Sequence, residues 1–256
     1  MQSALDLFLA TQLFAFLLIF ARIGCALMTM PGLSDITVPM DARLYFALSF
    51  SLVLAPLLYK FLPAIPSDPI DFALIVAKEM LIGVFLGLMS QMVINAINVA
   101  GFVVAHVTSL SSAFTFNPQQ ATQSTIVTSF LSLLTVIMIF VTDMHHMLFI
   151  GFIDSYRLFA PTSPLMLGDM SDSIAEALGY SFTIGLQMSA PFIIVGFGLF
   201  LAMGLVSRLV PQIQVFVLSM PIQIIVGLIL LATCLSALMM FFLQRYEDFW
   251  TGLFTG

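Results

Sequence analysis

Apolar residues gather in six long stretches, which are separated by short breaks rich in proline, glycine and small polar residues. The stretches cover about 4–33, 44–62, 72–105, 125–153, 174–206 and 212–243. Apolar positions recur in them with the helical period, and the short alternating strands of a membrane barrel are absent from the sequence. A helix crosses a bilayer core of about 30 Å with about 20 residues. The pattern therefore predicts an all-α membrane protein organised as one integrated unit, 1–256.

Two of these stretches are too long for a simple crossing. As one straight helix, 72–105 would be about 50 Å long, and tilting absorbs only part of such an excess. The stretch 174–206 is similar in length and contains residues that weaken a helix, namely Gly185, Pro191, Gly196, Gly198 and Gly204. We therefore expect long kinked helices that bend, break or leave the hydrocarbon.

Composition agrees with the membrane assignment and excludes some functions. The chain is 61% hydrophobic and 8% charged, whereas about a quarter of a soluble domain is charged. Its net charge is −6, and the seven basic residues are scattered singly. The sequence therefore offers no basic patch for nucleic acid.

The third stretch carries a helical face of small and amide side chains. Its members are Gly83, Gly87, Ser90, Asn98, Gly101 and Ala105. Gly83 and Gly87 form a GxxxG pair, which lets two helix backbones approach closely. The face predicts helix packing through Gly83, Gly87 and Gly101, either within this chain or against another subunit.

Charged residues inside apolar stretches cost about 2.5–3.5 kcal/mol each on insertion scales and are candidates for function. Arg22, Lys78, Glu79, Asp143 and Arg208 are such residues. Glu79 is predicted to form a buried ion pair with Arg22, or with Arg43, from another helix. The alternative is that Glu79 relays protons.

"VTDMHHMLF" brings Asp143, His145 and His146 together, but adjacent histidines diverge on a helix and the i, i+4 spacing of a metal site is missing. We expect a polar helix end and no metal. The sequence has no P-loop, GxGxxG, nucleophile elbow or Ser–His–Asp motif, so we expect neither catalysis nor a cofactor.

The break "TSLSSAFTFNPQQATQST", 108–125, has no charged residue, many hydroxyls and amides, and two phenylalanines, Phe114 and Phe116. Neutrality is unusual for a loop on a solvated surface. From the residues alone, the loop is either an ordinary exposed linker or a segment that does not lie on a solvated surface.

"GLVSRLVPQIQVFVLSMPIQIIVGL", 204–228, resembles the signature of the FliR/SctT family of type III secretion export-gate proteins. The motif predicts a helix end at Arg208, a turn opened by Pro211 and Gln212, and a second helix entered around Pro221. Other matching segments follow in the family's order: "ARIG" with Arg22, Arg43, Glu79 before "LIGVFLGLMSQ", and "AGFVVAHVTSLSSAFTFNP".

The resemblance implies a FliP-like half, about 1–170, followed by a FliQ-like helical hairpin, about 171–256. Such a subunit would join FliP- and FliQ-type proteins in a pore for unfolded polypeptides in the bacterial inner membrane, at the flagellar basal body. Many of its apolar helices would pack against partner subunits above the membrane instead of spanning it, and membrane lipid is a further expected partner. Arg208 and Gln212 would lie near the cytoplasmic side and face an FlhB-type protein.

The resemblance also implies that the loop at 109–121 helps to plug the pore. The expected plug residues are Ser109, Ser111, Ser112, Phe114, Phe116, Asn117 and Pro118. This chain departs from the usual pattern with Ser109 where a glycine is common and Asn117 where an aspartate often stands. The wording of the motif favours a flagellar gate over an injectisome homologue. A small-solute secondary transporter using Glu79 or Asp143 is the rival, although the inverted repeats it requires are not evident.

Overall fold

The computed structural model describes residues 2–34, 38–111, 125–210 and 215–255. Its regular structure there is helical and includes a short 3-10 helix at Tyr59–Phe61. The α-helices are α1 (Gln2–Thr29), α2 (Met40–Leu58), α3 (Pro69–Val107), α4 (Ile126–Val141), α5 (His145–Leu158), α6 (Leu167–Leu209) and α7 (Val215–Thr255). The prediction of an all-α membrane chain is confirmed.

Local sequence explains where several helices begin and end. Pro69 opens α3, where a missing N–H costs nothing, and the Asp68 carboxylate accepts from the Ile70 N–H at 3.0 Å. Thr125 caps α4 by accepting the Thr128 N–H at 3.1 Å. Beyond Val141 the backbone turns left-handed at Asp143, with φ 59°, and this stops α4.

Five helical segments in the described ranges are long and apolar enough to cross a membrane: Leu9–Thr29, Met40–Phe61, Pro69–Val107, Leu167–Leu209 and Ser219–Leu253. Helices α4 and α5 are each short and meet at a bend of 74°, so together they could supply a sixth, broken span. The stretch 125–153, which reads as one apolar segment in the sequence, is thus two helices with a sharp break.

Of the three outcomes expected for the long helices, namely a bend, a break or an exit from the hydrocarbon, the structure excludes a break in α3 and α6. α3 is continuous over 39 residues and α6 over 43, including the internal Pro191. Pro221 also lies inside α7, which begins at Val215, so it does not mark the entry to that helix. An internal proline removes one backbone hydrogen bond, and tertiary packing can keep a helix continuous through it.

The helices pack as two compact units, and α3, α6 and α7 contribute to both. The first unit comprises Met1–Met92, Asp143–Ala177 and Gly252–Gly256, and it contains α1, α2 and α5. α1 packs on α2 there, and its core includes Leu18, Ile19, Ile23, Leu27, Ile82, Leu148 and Phe152.

The second unit comprises Val93–Thr142 and Leu178–Thr251 and contains α4. Within it, the Tyr180 hydroxyl near the start of α6 donates to the Arg245 carbonyl near the end of α7 at 3.1 Å. The Tyr180 ring also stacks on Phe249, with the ring centres 5.6 Å apart. The two long helices therefore run antiparallel in this unit as a hairpin.

Candidate functional site

Arg22 of α1 and Glu79 of α3 form a fully buried ion pair in the first unit, both 0% exposed. The Arg22 Nε donates to Glu79 Oε2 at 2.7 Å, and Nη2 donates to Oε1 at 2.9 Å. This two-bond geometry is the strongest form of a guanidinium–carboxylate contact. Of the two partners that the sequence left open for Glu79, the structure selects Arg22.

The remaining faces of the Arg22 guanidinium are occupied by α5 and the segment after it. Nη1 donates to Ser155 Oγ at 3.3 Å, and Nη2 donates to the Phe159 carbonyl at 2.8 Å. The Tyr156 ring lies against the guanidinium, with its centre 3.9 Å from Cζ. Arg22 thus ties α1, α3 and α5 together at one point.

Lys78 extends the same arrangement to the connection between α5 and α6. Its Nζ donates to the carbonyls of Ala160 at 3.2 Å and Pro161 at 2.8 Å, and it also contacts the Ser163 carbonyl. These carbonyls follow the end of α5, where helical partners are lacking and a cation is favourable. We call Arg22, Lys78 and Glu79 the charge cluster.

The charge cluster is built for structure, not for proton transfer. Both Glu79 carboxylate oxygens accept from Arg22, and the pair is sealed from solvent. A proton relay needs a carboxylate that can exchange protons along a path of donors and acceptors. The paired geometry favours the structural interpretation of Glu79 over the relay.

The glycine pair of α3 explains how this ion pair forms. A Cβ on Gly83 would collide with the Arg22 carbonyl oxygen, and one on Gly87 would lie 2.8 Å from the Ala26 carbonyl and overlap Thr29. Glu79, Gly83 and Gly87 are spaced by four residues and share one face. Because both glycines let α1 approach, the backbone at Arg22 reaches α3 one turn from Glu79. The helix on this face is α1 of the same chain, so a partner subunit is not needed to account for the glycine pair.

Replacing Gly87 with Leu is expected to destabilise the chain by about 3 kcal/mol or more, since the added atoms meet helix backbone that cannot move aside. Gly179→Leu is the matched control, because a Cβ there has nothing within 4 Å among the described residues. We expect Gly179→Leu to be neutral or stabilising by helix propensity. Thermal unfolding of the detergent-solubilised chains measures the difference, and equal midpoints for the two variants would contradict the close-contact account.

The second unit holds the described residues of the loop, Ser109 and Ser111, at the end of α3. Ser109 takes a left-handed backbone conformation with φ 57°, which glycine adopts without strain. The family's usual glycine at this position is therefore explained. Serine is kept in the same conformation here, with its hydroxyl donating to Gln223 Oε1 of α7.

The far end of the loop is also fixed. The Thr125 and Thr128 hydroxyls are 2.8 Å apart, and a Cβ on Gly101 of α3 would lie 2.7 Å from the Thr128 Cα. One turn further, the Ser132 hydroxyl donates to Asn98 Oδ1 at 2.9 Å. Gly101 thus brings α4 against α3, and small polar contacts line their interface.

Other residues singled out in the sequence are placed as follows. Arg208 lies exposed in the last turn of α6. Asp143, His145 and His146 cluster at the bend between α4 and α5, with their ligand-type atoms within 4.8 Å of one another. Several expected sites lie outside the described residues, namely Ser112, Phe114, Phe116, Asn117, Pro118, Pro211 and Gln212.

Two residues of these sites were not anticipated in their roles. Lys78 lies next to Glu79 in the sequence, which does not predict that it holds the α5–α6 connection. Gln223 is 4% exposed and holds the loop's first turn. The signal for Gln223 was an amide inside an apolar run, four residues before Gly227, which places both on one helix face.

Comparison with known proteins identifies the family of the chain. Residues 13–249 match the family described as "Bacterial export proteins, family 1". The chain is 36% identical to the flagellar biosynthetic protein FliR of Caulobacter vibrioides, over 93% of this chain and 95% of that protein. It is 33% identical to FliR of Bacillus subtilis, over 93% and 90%, and 25% identical to FliR of Escherichia coli, over 82% and 80%.

The family match covers α3 to α6 entirely and includes the charge cluster, Ser109 and Gln223. The similarity to FliR proteins extends over nearly the full length of the two relatives from Caulobacter and Bacillus. The chain belongs to the FliR-type family of bacterial export proteins.

Proposed function

We propose that this chain is a non-catalytic pore subunit of a flagellar protein-export gate in the bacterial inner membrane. Its neighbours would be FliP- and FliQ-type subunits, with an FlhB-type protein on the cytoplasmic side, and its cargo would be unfolded polypeptides. Family membership and the flagellar relatives support the export role. The assignment as a pore subunit with protein neighbours depends on the exposed surfaces of the long helices α6 and α7.

The observation that carries the proposal is the exposed apolar surface of α6. It extends from Leu178 to Leu209, and only 17% of the most apolar window of the helix is buried within the chain. At about 1.5 Å per residue this surface is roughly 45–50 Å long. A bilayer core of about 30 Å would require a tilt beyond the usual range of about 0–40° to cover it.

The part of the α6 surface that extends beyond the bilayer core must therefore be covered by protein. Contiguous apolar surface that neither lipid nor the chain itself buries marks an interface with other subunits. α7 has the same low burial, 17% of its apolar window, against 50% for α1. We infer that α6 and α7, the expected FliQ-like hairpin, face neighbouring subunits, while the expected FliP-like part at about 1–170 supplies the charge cluster.

The loop at 109–121 is proposed to plug the pore. Ser109 fixes its first turn on α7, and Thr125, which lies four residues beyond the loop, caps α4. A segment whose flanking residues are held by packed helices can fill an opening and stay attached when a polypeptide passes. Because it carries no charge, it would neither bind nor repel the varied side chains of a passing polypeptide.

The rival, a small-solute transporter, gains no support from the candidate coupling residues. Glu79 is sealed in its pair with Arg22. The Asp143 side chain is 77% exposed at a helix bend. A coupling carboxylate in a transporter faces a cavity near the bilayer centre and exchanges its ion or proton there.

Co-purification tests the proposal. The affinity-tagged chain, expressed with the other gate proteins of its own organism, is expected to retain FliP- and FliQ-type subunits through detergent extraction and gel filtration. Mass spectrometry of the complex gives its composition. Recovery of the chain alone, with saturable uptake of a small solute after reconstitution, would replace this proposal with the transporter.

A further inference from the structure

The turn between α4 and α5 brings together two imidazoles and one carboxylate. Asp143, His145 and His146 each offer one atom of a kind that binds metals, and these three atoms lie within 4.8 Å of one another. In the part of the chain that the structure describes, this is the one group of three His, Cys, Asp or Glu side chains arranged in this way. Neither helix packing nor the proposed export role accounts for it.

The two histidine rings lie together, which the sequence does not predict. On a regular helix, neighbouring side chains diverge by about 100°. His145 and His146 are the first two residues of α5, yet their ring centres are 4.2 Å apart and their planes are inclined by only 33°. The chain enters α5 from Asp143, whose backbone is left-handed with φ 59°. The sequence argument against a metal therefore does not hold for this turn.

The contact between Asp143 and His146 has nearly the spacing of two ligands of one ion. Zinc binds imidazole nitrogen and carboxylate oxygen at about 2.0–2.2 Å, so two of its tetrahedral ligands lie about 3.4 Å apart. His146 Nδ1 is 3.7 Å from Asp143 Oδ1. The same nitrogen donates to the Asp143 carbonyl oxygen at 3.2 Å, and a metal would take the place of that proton, which moves to Nε2. Both side chains are exposed, so rotation can close the remaining gap.

The third ligand, His145, is held in place by an aromatic cluster. Its half-buried ring meets Phe149 edge-on, with ring centres 6.0 Å apart and planes at 84°. Phe149 in turn packs on Phe46 and Phe50 of α2, with ring centres 6.3 and 4.9 Å away. A ligand that packing already orients loses less conformational freedom when it binds. His145 is thus the fixed side of the group, and the two exposed side chains can adjust to it.

The ligand set selects the kind of cation. Imidazole nitrogens suit zinc and its neighbours in the transition series, whereas magnesium and calcium prefer oxygen ligands. The N-terminus of α5 carries a partial positive charge that disfavours a cation. The Asp143 carboxylate is therefore needed to offset that charge as well as to supply a ligand. Three protein ligands leave a coordination position for water.

We propose that Asp143, His145 and His146 form a binding site for a divalent transition-metal ion of the zinc type, which fixes the turn between α4 and α5. The ion would join a residue that follows the end of α4 to the first turn of α5, so its binding would stabilise the turn. This inference goes beyond the proposed export function and does not depend on it.

Zinc titration of the full chain in detergent, purified through a tag without histidine, tests the site. Calorimetry should show one zinc ion bound per chain, and saturating zinc should raise the thermal unfolding midpoint. Asp143→Asn, His146→Ala and His145→Phe should each weaken zinc binding by about 10- to 100-fold or more, since loss of an outer-shell partner alone costs that much. His145→Phe keeps a ring against Phe149. Magnesium and calcium should give no saturable binding.

His106→Ala and Asp172→Asn are the matched controls. His106 is the third histidine of the chain and lies on α3, and Asp172 is an exposed carboxylate on α6. Both variants should bind zinc like the wild type. Without zinc, the three site variants should unfold at the wild-type midpoint, which separates a lost ligand from a misfolded chain. Unchanged zinc affinity in Asp143→Asn, or no saturable zinc binding by the wild-type chain, would overturn the proposal.

Discussion

Arg22→Met is expected to prevent the chain from accumulating in the membrane. The substitution leaves the Glu79 carboxylate, which is 0% exposed, without its counter-charge and without donors to both oxygens. Breaking one partner of a buried ion pair costs about 3–5 kcal/mol, a large fraction of a total stability of about 5–15 kcal/mol. Immunoblotting of membranes, together with swimming motility of the complemented strain, measures the loss.

A matched control is available in the same unit. Arg157 pairs with Asp154 across 3.7 Å, but the two side chains are 74% and 35% exposed. Exposed pairs contribute about 0–1 kcal/mol, so Arg157→Met should accumulate normally. If Arg22→Met accumulates as well as Arg157→Met, the charge cluster does not hold the first unit together.

Removing both charges at once should restore part of the loss. In Arg22→Met with Glu79→Met, no unpaired charge remains, and replacing a buried pair by apolar residues is often neutral. Recovery stays partial because Arg22 also donates to Ser155 and to the Phe159 carbonyl. This rescue distinguishes a structural pair from a proton relay, in which the double variant would be stable and inactive.

The second large effect concerns the loop. Deleting 110–118 is expected to leave the gate assembled and to open it to ions, because the deletion removes the proposed plug and leaves α3 and α4 intact. α3 ends at Val107 and α4 begins at Ile126, so the deletion removes no residue of either helix. Phe114→Ala with Phe116→Ala should leak less, since part of the apolar packing remains. A fluorescent probe of membrane potential in cells reports the leak.

The helical class and the ion pair could be predicted because each depends on a strong local signal. Apolar runs near or above 20 residues admit few structures in a membrane. An arginine and a glutamate buried in such runs are too costly to remain apart. Neither signal depends on knowing which helices are neighbours.

Features that depend on which helices pack together could not be predicted from the sequence. The GxxxG pair indicates a close helix, but only the fold identifies that helix as α1. The polar residues at 142–146 predicted a helix end, but the sharp bend of 74° between α4 and α5 was not predictable, because apolar residues continue on both sides. The backbone chemistry of Pro221 predicts a helix boundary, whereas α7 extends back to Val215. The hydrogen bond between Ser109, at the start of the loop, and Gln223 could not be predicted, because the two residues lie more than one hundred positions apart.

Single-complex conductance in a planar bilayer tests the central claim most directly, that this chain helps to form a pore closed by the 109–121 loop. Purified wild-type complex should hold the bilayer current at baseline, and the complex lacking 110–118 should give ohmic current in discrete steps at the same protein density. Baseline current from the assembled deletion complex would contradict the account, and the loop would then be a linker.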